Sequence, residues 1–133
     1  MDAVWGKGDH IQCIHPGAGC VAGRDSVLQS WRLALSGSRL KVKLEDVRIF
    51  ATDTHGFVTC VEVVDASDSQ GRQVHQVQRG EGHARLQPRP DLRSSLLGRI
   101  VATNIFEKQR GRWYITHHHG SPAPERLQGF VRE

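Results

Sequence analysis

The feature that most constrains this chain is a pair of β-favouring runs within Leu97–Pro124. Ile100–Glu107 and Trp113–His119 are rich in Val, Ile, Thr, Phe, Trp and Tyr, which suit a pleated surface. The polar link Lys108-Gln109-Arg110-Gly111-Arg112 between them marks a hairpin. Successive side chains on a strand point to opposite faces. Regular alternation therefore puts Trp113, Ile115, His117 and His119 on one face, and Tyr114, Thr116 and His118 on the other. Such a ribbon buries at least one side and ends in a cluster of imidazoles. The rest of the chain must cover it or extend it.

One segment can cover it. In Arg24–Ser36 the residues Val27, Leu28, Trp31, Ala34 and Leu35 recur at helical spacing and form one apolar stripe. Asp25 and Ser26 suit the positive N-terminal end, and Gly37 is a good stop. Trp31, mid-stripe, is expected to be a principal contact with the sheet.

Two segments can extend it. Leu40–Thr52 and Gly56–Ala66 read as long strands joined through the turn composition Asp53-Thr54-His55-Gly56. Leu40, Val42 and Leu44 alternate with Lys41 and Lys43, so the first of these strands is expected to be half exposed at its start. Phe57–Val64 is apolar on both faces apart from Thr59, Cys60 and Glu62, as a central strand is. Before the helix, Ile11–His15 is a short extended segment stopped by Pro16, and the Gly-rich Pro16–Gly23 reads as a loop. Met1–Trp5 reads as the last turn of a helix. The expected domain is residues 1–124, with an irregular Arg-rich insertion at about 72–96 and a tail at 125–133.

The chain of 133 residues is about one domain long, and 38% hydrophobic against 24% charged residues argues for a folded protein. No apolar run approaches the roughly 20 residues that span a bilayer. The first ten residues lack a secretory pattern, so a soluble protein of the cytoplasm or an organelle lumen is expected. The formal charge of +4 is lopsided, since Arg72–Arg112 holds nine Lys/Arg against Glu81, Asp91 and Glu107. A basic stretch attracts nucleic acid, membrane lipids or an acidic partner, but without an RNA-binding aromatic signature it reads first as a solvated loop. Cys13, Cys20 and Cys60 show no C-x-x-C spacing, which disfavours structural zinc and a disulfide framework.

The residues His15-Pro16-Gly17, the helix with Ser30-Trp31, Phe57–Glu62, Ala102-Thr103-Asn104 and Trp113–Pro122 together resemble the SnoaL-like branch of the nuclear transport factor 2-like superfamily. The resemblance runs from about Val4 to Pro122. It implies an α+β fold in which a cone-shaped, curved antiparallel sheet packs around a helix, the cystatin-like α+β barrel. It also implies a homodimer paired through the sheet's outer face. Members of the superfamily usually begin with a long helix, of which this chain has room only for the last turn. The superfamily spans enzymes, transport adaptors and assembly domains, so the fold alone assigns no function.

Chemistry must come from particular side chains. His117, His119 and Glu62 are the candidate acid–base groups, and Trp5, His15, Trp31, Asn104 and Trp113 the candidate pocket residues, expected to line a site for a small apolar ligand. An H-x-H pair can chelate, with His15 or Glu62 as a third ligand, yet no ligand spacing supports it, so no metal and no cofactor are expected. There is no Gly-x-Ser-x-Gly, phosphate loop or dinucleotide fingerprint. The leading expectation is a non-catalytic, homodimeric ligand-binding or protein-interaction module. The competing one is a small-molecule isomerase, cyclase or dehydratase with a His or Glu base. A third is docking of the Arg-rich insertion onto RNA or a larger assembly.

Overall fold

Helix α1 (Arg24–Leu35) sits where the apolar stripe predicts it, entered through Gly23 at φ 88°. That positive φ is one glycine adopts without strain. Val27, Leu28 and Ala34 are buried along the stripe. The protein is described by a computed structural model covering residues 1–36, 39–67 and 98–123. Around α1 lie strands β1 (Gln12–Ile14), β2 (Cys20–Ala22), β3 (Arg39–Ala51), β4 (His55–Ser67), β5 (Gly98–Gln109) and β6 (Arg112–Pro122). They form one sheet in the order β2-β1-β6-β5-β4-β3.

The four long strands pair antiparallel as consecutive neighbours, as the hairpin readings require. Two details differ from expectation. β1 runs parallel to β6, with Cys13 opposite His118, so the sheet is mixed rather than wholly antiparallel. The Gly-rich segment expected to be a loop contains β2, which pairs with β1 through Cys13 and Val21. Three residues between glycines are too few for periodicity to register. Residues 2–4 form a turn closed by the Val4 N–H donating to Met1 O at 3.1 Å, and Trp5 then makes a parallel bridge to Ile115. The Arg-rich insertion and the C-terminal tail lie outside the described residues.

Two irregularities bend the sheet. On β3 the register jumps between Glu45 and Arg48, where Asp46 takes φ 50°. On β6 it jumps because Ile105 faces His117 while Phe106 faces Ile115, leaving Thr116 as an extra residue. One extra residue bends a strand and increases its twist. The link between β5 and β6 is tighter than the five polar residues suggest. Gln109 pairs with Arg112, and the two residues between them, Arg110 (φ 50°) and Gly111 (φ 80°), are both left-handed, as a type I′ turn demands.

The core has two centres. Trp5, Ile11, Cys13, Val27 and Leu28 pack at the β1–β6 end, with Val21, Trp31 and Ile115 against them. Ala34, Val64 and Ile100 pack further along, with Leu40. A helix that meets β1 and β6 near its start and β4 and β5 near its end requires a sheet curled around it. That is the expected cone. No described helix is long and apolar enough to cross a membrane.

Candidate functional site

Directly opposed residues share a face, so the row Val58–Asn104–His118 across β4, β5 and β6 defines the concave side toward α1. The adjacent row Phe57–Ile105–His117 defines the outer side. Thr116 causes the difference from the alternation expected for β6. Trp113 and Ile115 precede the extra residue and His117 and His119 follow it, so the two pairs lie on opposite faces. The imidazole turned inward is His118, which sequence reasoning passed over.

His118 is the centre of a buried polar cluster. Its Nδ1–H donates to Asn104 Oδ1 at 2.7 Å. Its ring meets Trp31 edge-on, with centroids 5.3 Å apart. Trp31 also meets His15, fully buried, with ring centroids 4.7 Å apart and again edge-on. The Ser30 hydroxyl donates its single proton to Val27 O at 2.7 Å, so at 2.9 Å His15 Nε2 must donate to Ser30 Oγ. His15 Nδ1 therefore carries a lone pair, and it has no hydrogen-bond partner among the described residues. The Trp31 indole Nε1–H, a donor, likewise meets no nitrogen or oxygen acceptor among the described residues and is turned toward the Cys13 thiol.

The electrostatics follow from burial. Desolvation pulls His118 down to about 4, helped by the neighbouring His15, His117 and His119. It lowers His15 as well. Both rings are thus neutral near pH 7, each a donor on one nitrogen. Burial pushes the Cys13 thiol, 3.7 Å from His15 Nε2, up to about 12, so this pair is no nucleophilic dyad.

The other candidates are spread out. Glu62 faces inward, opposite Ile100 and Leu44, and burial raises its carboxyl above the usual range. It lies four residues along β4 from Val58, roughly 13 Å from the His118 row at strand spacing. His117 and His119 pair with Ile105 and Thr103 on the outer side. Trp5 is a core residue at 2% exposure. Trp113 stands at the hairpin tip with the Lys108 ammonium 5.8 Å from its ring centre. There it borders a hollow of about 250 Å³ with Ile49, Val58 and Phe106. The structure thus brings His15, Trp31 and Asn104 together around His118, and leaves Trp5, Trp113, His117, His119 and Glu62 in other places. Among the described residues no group of three could hold a metal ion.

A curved sheet closed on one helix, with polar side chains turned toward that helix, is the α+β cone of the nuclear transport factor 2-like proteins. The chain belongs to the SnoaL-like domain family, whose sequence profile matches residues 1–85 and 82–125. Among curated proteins it is similar to the F-box protein SKIP8 of Arabidopsis thaliana, with 23% identity over 122 residues. Those residues are 91% of this chain and 40% of that protein, so the chain spans less than half of that relative. Among solved structures it is similar to a protein from Streptomyces avermitilis described as a proposed dehydratase of the NTF2-like family. That match has TM-score 0.66 and 24% identity, covering 93% of this chain and 80% of that one. It is also similar to a proposed calcium/calmodulin-dependent protein kinase type II association domain from Thiobacillus denitrificans, with TM-score 0.59, 29% identity and the same coverage. The association domain of C. elegans CaMKII matches with TM-score 0.53 and 15% identity, over 86% of this chain and 74% of that one.

Proposed function

We propose that this SnoaL-like domain, residues 1–124, is a non-catalytic module that pairs with a second copy through the outer face of its sheet and serves to bind a ligand or a partner protein. The observation that carries this reading is the outer face itself. Phe50 and Phe57 stack with centroids 5.4 Å apart while remaining 56% and 44% exposed. Ile105 and Val101 continue the same face at 39% and 41%. A hollow of about 300 Å³ lies between Phe50, Phe57, Thr103 and Ile105. Clustered large apolar side chains of this kind are what interfaces are built from. The likeness to kinase association domains supports the reading. So does the inner cluster, whose histidines are kept neutral by burial.

Size-exclusion chromatography with light scattering tests it at tens of micromolar, where a stable homodimer persists. The expected mass is about twice 14.8 kDa. The double variant Phe57→Glu, Ile105→Glu should run as a folded monomer. A wild-type monomer under these conditions overturns the proposal.

A second reading is proton-transfer chemistry on a small molecule, of the isomerase, cyclase or dehydratase kind. Glu62 is the observation in its favour, since a raised carboxyl on the concave face moves toward the range of a general base. Turnover that vanishes in Glu62→Gln, with unchanged circular dichroism, would select this reading over the first.

A further inference from the structure

We propose a separate ligand site where the N-terminal segment meets the β5–β6 turn, a basic hollow that takes a small molecule bearing two or more phosphate groups. The hollow measures about 500 Å³. Lys7 and Arg24 line it from one side, and Arg110 and Arg112 from the turn. The carboxylate among its lining residues is Asp2, already committed to Arg24 at 2.9 Å. Among the described residues no carboxylate lies within ion-pair distance of Lys7, Arg110 or Arg112. Lys7, Arg110 and Arg112 thus border one bowl as uncompensated cations, and an anion held among them relieves their mutual repulsion.

The hollow is also held in shape. The Lys7 N–H donates to Gln109 Oε1 at 3.0 Å, and Gln109 Nε2 donates back to Lys7 O at 2.9 Å. This double link ties the N-terminal segment to the hairpin. Arg24 is fixed by donating from Nε to Gly6 O at 3.0 Å and from Nη2 to Asp2 O at 2.9 Å. The Arg112 guanidinium lies 5.8 Å from the Tyr114 ring centre. The two arginines on the tight turn offer forked donors of the kind that match phosphate oxygens, while Arg24, held by Gly6 and Asp2, shapes the wall beside them. A bowl of this volume suits a small molecule, whereas a polymer needs a continuous groove. The site shares no residue with the outer apolar face or with the His15–Trp31–His118 cluster.

Calorimetric titration with pyrophosphate at low salt is the test, with inorganic phosphate, citrate and a short single-stranded RNA as parallel arms. Pyrophosphate should bind one to one and about tenfold more tightly than inorganic phosphate. The double variant Arg110→Asn, Arg112→Gln should weaken it by about tenfold or more. Asparagine tolerates the left-handed backbone at position 110, so the turn survives and the loss is one of charge. Absence of saturable pyrophosphate binding overturns the proposal, as does binding that the double variant leaves unchanged. Citrate binding as tight as pyrophosphate would overturn the phosphate assignment. RNA affinity that exceeds that of pyrophosphate and rises with length would replace the proposal with a nucleic-acid surface.

Discussion

His118 and Asn104 stand directly opposite each other on β6 and β5, and their side chains are joined by a 2.7 Å hydrogen bond on the concave face. The pair sits against Trp31, with His118 4% exposed. A buried donor that loses its acceptor costs the full desolvation of that group, whereas removing both partners is nearly neutral. Asn104→Leu should therefore destabilise the fold by about 1–3 kcal/mol. The double variant Asn104→Leu, His118→Leu should recover most of that loss. Urea unfolding of the two variants checks both.

Stability should fall on mild acidification. His118 is lowered from 6.5 to about 4 in the fold, and His15 is lowered too. Between those values the unfolded chain binds more protons than the folded one, so protons favour unfolding. The contribution is complete above pH 6.5 and declines as pH drops toward about 4. Urea midpoints at pH 7.5 and 5.0 should differ in that direction, and His118→Phe should narrow the difference.

Glu62 should act with the opposite sign. Its carboxyl is raised by burial, so ionising it in the fold costs stability, and the cost grows as pH rises through the folded value. Glu62→Gln removes that cost. The variant should have a higher urea midpoint than wild type at pH 7.5, and the advantage should vanish below the ordinary carboxylate value of 4.5.

The β5–β6 turn should respond to backbone preference alone. Arg110 and Gly111 both hold left-handed angles. Gly111→Ala should cost about 1 kcal/mol, because a Cβ is strained there even though nothing lies within 4 Å of it. Arg110→Asn should raise the melting temperature slightly, since asparagine favours this conformation. Paired thermal melts decide the question.

The fold was legible because its elements are long and strongly patterned. The apolar stripe of α1 and the β-rich runs of β3 to β6 each offer enough residues for their period to show. The site was half legible. His15, Trp31 and Asn104 were recognisable as inward residues, while His118 was not. One residue, Thr116, accounts for this. Its Oγ1 donates to Ile105 O at 3.4 Å, and the strand takes it up as an extra position, reversing the faces of all that follow. Nothing in the string Tyr-Ile-Thr-His marks that slip, which is set by pairing with a strand elsewhere in the chain. The parallel partnership of β1 with β6 was hidden for the same reason.

The break in β3 at Asp46 has a consequence for solubility. Among the described residues β3 is the outermost strand on its side, thirteen residues long, with Val42, Leu44 and Ile49 exposed. A rim of that length, if straight and unbroken, would be a template on which foreign strands could stack without limit. The kink, together with Lys41 and Lys43, denies such a visitor a continuous ladder. Open-ended stacking along the margin of the sheet is thereby discouraged, and the strand can stay long without becoming a seed.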